Sequence, residues 1–166
     1  MAAQARLELD AEVAERTRLE RARITLGERV VGALGSEVTL RLRGGTIARG
    51  RLEDCGDGWL LVVEAGGRQV LAPTLAVLGI SGLGRPRDDT RARRFGIGSA
   101  VRLISRDRRA VVVVDVDGGS VHGTIDGVGA DAFDIAEHPL DSPRRPEHVL
   151  GERVIPFASV AVITST

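Results

Sequence analysis

The chain has 166 residues with 23 basic and 23 acidic side chains, so a formal net charge of zero supplies no global field that would select nucleic acid, a membrane surface or an acidic substrate. Every basic residue is Arg, the usage of a GC-rich genome; Lys, Asn and Tyr are absent, and Trp59, Phe95, Phe133 and Phe157 are the only aromatic side chains. Four rings exclude a platform on which successive unpaired bases stack, a device worth about 1–3 kcal/mol per base.

At 43% apolar, a chain of this length has material for two small cores. The single Cys55 has no partner for a disulfide and no Cys or His at zinc-ligand spacing, so it reads as a small buried apolar side chain. Met1 to Asp10 holds no apolar run of signal-peptide length, and the longest β-branched run is only Val111 to Val114, so a soluble cytoplasmic protein is expected.

Residues 2 to 23 are helical in composition with a thin apolar stripe, and predict a solvated, charge-balanced helical arm. Leu19, Ala22, Leu26, Val30 and Ala33 make a better line at helical spacing, with a break expected near Thr25. There Thr25-Leu26-Gly27-Glu28 has the form of a capping box, and Gly35 suits a left-handed stop. After Ser36 the pattern alternates. Val38, Leu40 and Leu42 form one strand face, Gly44-Gly45 a hairpin, and Ile47 to Leu52 a second strand. Cys55 to Gly58 turns the chain into Trp59 to Val63; Gln69 to Leu71 and Val77 to Ile80 complete five short strands, the plan of a small barrel.

The plan then recurs. Phe95 to Arg109 predicts another helix and Ala110 to Val116 a strand, and Gly118-Gly119 stands 74 positions after Gly44-Gly45, which equates Val112, Val114 and Val116 with Val38, Leu40 and Leu42. With one-residue slips, Gly123-Thr124-Ile125 matches Gly50-Arg51-Leu52, Phe133 matches Trp59, and Val154-Ile155-Pro156 matches Val70, Leu71 and Pro73. The expected organisation is a charged helical arm at 1–23, a first barrel with its helix at 24–83, an Arg-rich linker at 84–94, and a second barrel with its helix at 95–166. A long loop from Pro139 to Gly151 distinguishes the second copy.

Helix plus five bent strands, with Val38-x-Leu40-x-Leu42-x-x-Gly45-x-x-x-x-Gly50-x-Leu52 and then Asp57-Gly58-Trp59-Leu60, resembles the first motif of the Sm-like family (Sm, LSm and Hfq proteins), here in two tandem copies. The resemblance implies a mainly β fold of two five-stranded barrels, assembly into oligomers through exposed barrel edges, and RNA as a ligand. The family's second motif, which carries its RNA-binding residues, is not matched: the stretches before the last strands read Leu71-Ala72-Pro73-Thr74 and Ile155-Pro156-Phe157-Ala158.

Charge is uneven beneath the zero total. Residues 84 to 109 carry 9 Arg against 3 acids, and residues 110 to 166 carry 3 Arg against 9 acids. Arg85, Arg87, Arg91, Arg93, Arg94, Arg102, Arg106, Arg108 and Arg109 are therefore the candidate nucleic-acid contacts, since clustered guanidinium groups neutralise phosphates. The alternative is that they pair with the acidic C-terminal half or solvate a helix.

No catalytic constellation emerges. Gly127 to Ala132 fits a loose dinucleotide pattern but leads into a strand and reads as a turn. Asp115 and Asp117 lack the further ligands of a calcium loop. His122, His138 and His148 are scattered, so no metal, cofactor or enzymatic activity is expected. Two functions stay open: nucleic-acid binding, RNA or DNA, with little base specificity, or a protein-interaction and assembly scaffold using the N-terminal helix.

Overall fold

The computed structural model describes residues 2–84, 95–142 and 144–165. The order is α1 (Ala2–Arg21), α2 (Leu26–Gly32), β1 (Glu37–Leu42), β2 (Ile47–Gly56), β3 (Trp59–Glu64), β4 (Gln69–Pro73), β5 (Val77–Ser81), α3 (Ile97–Arg106), β6 (Ala110–Asp115), β7 (Ser120–Val128), β8 (Ala132–Glu137), β9 (Gly151–Pro156) and β10 (Val160–Ser165). All ten strands join one antiparallel sheet in the order β5-β1-β2-β3-β4-β10-β6-β7-β8-β9. The first five strands and the last five thus follow the same order, and β4 meets β10 where they join.

The helices follow their local chemistry. In α1 the apolar positions are spread around the helix, and every described side chain from Gln4 to Arg21 is exposed. The break falls as expected: the Thr25 main-chain N–H donates to Glu28 Oε2 (2.6 Å), and the Glu28 N–H donates to Thr25 Oγ1 (3.2 Å), which starts α2. These bonds, the main-chain one foremost, hold the Glu28 carboxyl below its usual 4.5, so the capping contribution is complete above that value and fades as pH falls through the lowered one. Of the stripe expected from Leu19 to Ala33, Val30 and Ala33 are buried while Leu19, in α1, and Leu26, at the start of α2, stay exposed: the stripe meets the sheet through the end of α2, which packs on β2. The second helix is shorter than Phe95 to Arg109: α3 ends at Arg106, Asp107 caps it, and Arg108 turns left-handed at φ 49°.

Strand register sharpens the internal repeat. Gly50 pairs with Val38 and Glu64, and Gly123 pairs with Val111 and Glu137, so the two halves correspond at 73 positions rather than 74. The buried residues Val111 and Val113 of β6 are accordingly the counterparts of Val38 and Leu40, and the expected match of Val112, Val114 and Val116 with Val38, Leu40 and Leu42 is corrected. The hairpins explain the slip. The left-handed position of the first turn that has a counterpart in the second is Gly45 (φ 79°), and that counterpart is Gly118 (φ 95°), so aligning the two Gly pairs shifts everything by one. By the same register Phe133 stands where Leu60 does, and Trp59 corresponds to Ala132. A side chain at Gly50 would run into the main chain of Val63, and one at Gly123 into that of Ala136; both glycines let a long strand cross its partner closely as it bends. Equivalent bulges follow at Leu52/Asp54 and Ile125/Gly127.

Two buried apolar clusters form the core, and each borrows from the other half. The first, around Leu40, Leu52, Leu60 and Val62, includes Val162 of β10. The second, around Val101, Val111, Phe133 and Ile135, includes Trp59 and Leu71 of the first half. Leu71→Ala is expected to lower stability by about 2–5 kcal/mol. Because Leu71 faces Ile163 across the joint, circular dichroism and Trp59 fluorescence should report one shared transition at a lower melting temperature.

Candidate nucleic-acid interface

α3 is amphipathic. Ile97, Ala100, Val101 and Ile104 recur at helical spacing and pack against the second core, with β7 as the main contact. Arg102 and Arg106, one turn apart, lie on the opposite, exposed face. The start of the helix is anchored on the first half: Phe95 C=O accepts from Trp59 Nε1–H (2.7 Å) and from the Asp57 N–H (3.0 Å), and Gly96 bridges Asp57.

This anchorage forms two adjoining grooves between α3 and strands β3 and β4. One, of about 360 Å³, is lined by Trp59, Leu61, Leu71, Leu103, Ile104 and Arg109 among others. The other, of about 380 Å³, is lined by Asp54, Trp59, Phe95, Ser99, Ala100, Arg102, Leu103 and Arg106. Phe95 is 63% exposed and Leu103 58%, whereas Trp59, at 5%, is a wall and not an open ring. Apolar and guanidinium side chains share these grooves with carboxylates, Asp54 at both and Asp107 at the first.

Of the nine candidate Arg, Arg85, Arg87, Arg91, Arg93 and Arg94 lie outside the described residues. Arg102 and Arg106 meet at one groove and Arg109 at the other. Arg102 Nη2 reaches Gly129 C=O at 3.5 Å, and Arg109 Nε is 3.9 Å from Asp107. Among the described residues neither Arg106 nor Arg108 has an ion-pair partner. The acids of the C-terminal half are instead engaged with its own Arg where they pair: Arg144 with Asp126 (2.5 Å) and Arg153 with Glu137 (2.6 Å). The C-terminus of α3 is itself a favourable place for cations, since its last carbonyls carry partial negative charge.

The other candidate chemistry resolves into local structure. Asp115 Oδ1 accepts from the N–H groups of Asp117 and Gly119 (both 2.9 Å) and shapes the β6–β7 hairpin. Residues 129–131 turn β7 into β8, with the Gly129 N–H bonded to Ala132 C=O. Cys55 is buried. His138 is 2% exposed; its Nδ1 lies 2.9 Å from Pro139 C=O and so carries the proton, leaving Nε2 to accept from Thr124 Oγ1 at 2.8 Å. Among the described residues no three His, Cys, Asp or Glu side chains converge on a metal position, and no helix is long and apolar enough to cross a membrane. Sequence reasoning missed the groove itself, because Trp59 and Leu71 reach it only through the joint between the halves.

Comparison with protein families, with curated proteins and with solved structures gives no match.

Thr124→Val keeps the shape of this buried pair and leaves His138 Nε2 without a donor, so it is expected to cost about 1–3 kcal/mol, read as a fall in denaturation midpoint.

Proposed function

We propose that the chain is a non-enzymatic protein of two tandem Sm-like units that binds nucleic acid, RNA or DNA, through the Arg-rich segment running from the linker into α3. The observation that carries the reading is the placement of Arg102 and Arg106 at one groove and of Arg109 at the groove beside it, with Arg106 and Arg108 lacking an ion-pair partner among the described residues. Guanidinium groups not satisfied by carboxylates are free to take up phosphate oxygens. The tandem Sm-like description is supported by the repeated strand order and by the bend glycines Gly50 and Gly123. One exposed ring, Phe95, at the groove gives a base a single surface to lie on, which favours backbone charge over sequence readout.

A second reading, a protein-interaction module, draws on α1. Its side chains from Gln4 to Arg21 are all exposed, with Leu7, Leu9, Val13 and Leu19 among them. Pull-down before and after nuclease treatment separates the two: partners lost with nuclease favour nucleic acid, and partners that persist favour the protein.

The expected result of a salt titration with RNA and with duplex DNA is binding at low ionic strength, with log affinity falling by roughly 0.9 per neutralised phosphate on duplex DNA for each tenfold rise in salt. Arg102→Glu with Arg106→Glu should weaken binding to all sequences alike and flatten that slope. No retention of either nucleic acid at low salt, or affinity indifferent to these changes, rules the reading out.

A further inference from the structure

The two halves differ in what lies on the outer side of their strands. In the second half β8 and β9 are joined by residues 138–150, and that stretch is tied to the outer face of β7 and β8: Arg144 pairs with Asp126, and His138 is bonded to Thr124 and to the Pro139 C=O. Thr124 and Ala136, paired across β7 and β8 on that face, are each 1% exposed. In the first half the same connection is the tight turn 65–68. At 73 positions the counterparts of Thr124 and Ala136 are Arg51 and Val63, again a cross-strand pair. Here the face is open, with Arg51 exposed and Val63 half-buried.

Strand register shows where the open face leads. Arg51 pairs with Glu37 of β1 and with Val63 of β3, and Val63 pairs with Gln69 of β4, so these four residues share one row across the outer face. Toward the β1–β2 turn, Thr39 with Arg49 and Arg41 with Ile47 make the next two rows of the same face. On the other side of the first row stand Leu61 and Leu71, which line the first groove beside α3, as Gln69 does. Face and groove are therefore one continuous surface, about 14 Å across from β1 to β4 at three strand spacings.

The charges of this face are not demanded by the fold. At 73 positions the counterparts of Arg41, Arg49 and Arg51 are Val114, His122 and Thr124, on strands paired in the same register. Two acids share the face: Glu53 pairs with Arg51 (2.6 Å), and Glu37 stands opposite Arg51. Arg41 and Arg49, diagonal neighbours across β1 and β2, are exposed. Arg49 Nε donates to Thr39 Oγ1 (3.3 Å), and among the described residues neither Arg41 nor Arg49 has an ion-pair partner.

We infer that the nucleic acid held at α3 continues over the open outer face of the first half, where Arg41 and Arg49 bind its phosphates. The inference rests on the nucleic-acid reading above and adds a second set of contacts to it. The second half takes no part in that stretch, because its own loop closes the equivalent face. None of the residues in these rows is aromatic, so the added contacts hold the backbone and do not read bases.

The RNA and the duplex DNA of the salt titration test it with the full chain. Arg41→Glu with Arg49→Glu is expected to weaken binding about tenfold at low salt and to reduce the salt slope on duplex DNA by roughly 1.8, two phosphates' worth, with an unchanged circular dichroism melting curve. Arg41→Gln with Arg49→Gln should act in the same direction by a smaller factor. Combined with Arg102→Glu and Arg106→Glu, the losses should multiply. Arg145→Glu, on the loop that closes the second face, should leave affinity unchanged. Binding that falls with the α3 changes but is indifferent to both pairs of changes at Arg41 and Arg49, or that falls equally with Arg145→Glu, overturns this inference and leaves the α3 reading standing. An unmodified chain that retains neither nucleic acid overturns both.

Discussion

Main-chain pairing of β4 with β10, over Gln69 to Leu71 and Ile163 to Ser165, is the contact on which the rest of the molecule depends. Its hydrogen bonds contribute about 0.5–1.5 kcal/mol each against water. The apolar side chains it closes over contribute more, about 1.5–3 kcal/mol for each of Leu71, Val162 and Ile163, so burial rather than the ladder fixes the joint. Because Val162 sits in one cluster and Leu71 and Trp59 in the other, neither half has a complete core without its neighbour. The seat of Phe95 on Trp59 and Asp57 and the contact of Gly44 with β6 are secondary ties across the same line.

That joint also creates the groove. α3 belongs to the second half by its packing, yet the wall facing its Arg side is Trp59 and Asp54 of the first half. The charge balance of the chain is a matter of placement. The acids of the C-terminal half that pair do so with Arg144 and Arg153 on their own loop and strand, so they do not neutralise α3, and Arg102 and Arg106 stay on an exposed face. Zero net charge thus coexists with a local cationic rim.

The elements readable in advance were those set by neighbours in sequence. Thr25 and Glu28 close a capping box within four residues, the glycine hairpins turn where the left-handed conformation is needed, and alternation in β1 puts Val38, Leu40 and Leu42 inward. The repeat was readable too, but its register was not. Val111 to Val114 is an unbroken β-branched run, so hydrophobicity does not say which residues face the core; only pairing with Gly123 and with β10 decides between the two faces. Likewise, the helical line from Leu19 to Ala33 is regular in sequence, but α1 meets no surface and its apolar residues stay in water.

By itself, the sequence determined the mainly β composition, the two-fold repeat of helix and strands, the helix break at Thr25 and the concentration of Arg between residues 84 and 109, because each depends on spacing or local chemistry. The tertiary structure decided that the two repeats share one ten-stranded sheet, that their cores interleave, and that Trp59 walls a groove beside Arg102 and Arg106. Those outcomes turn on which strand edge meets which. Edges present the same main-chain donors and acceptors whatever their side chains, so the choice is made by the shape and burial of residues distant in the chain.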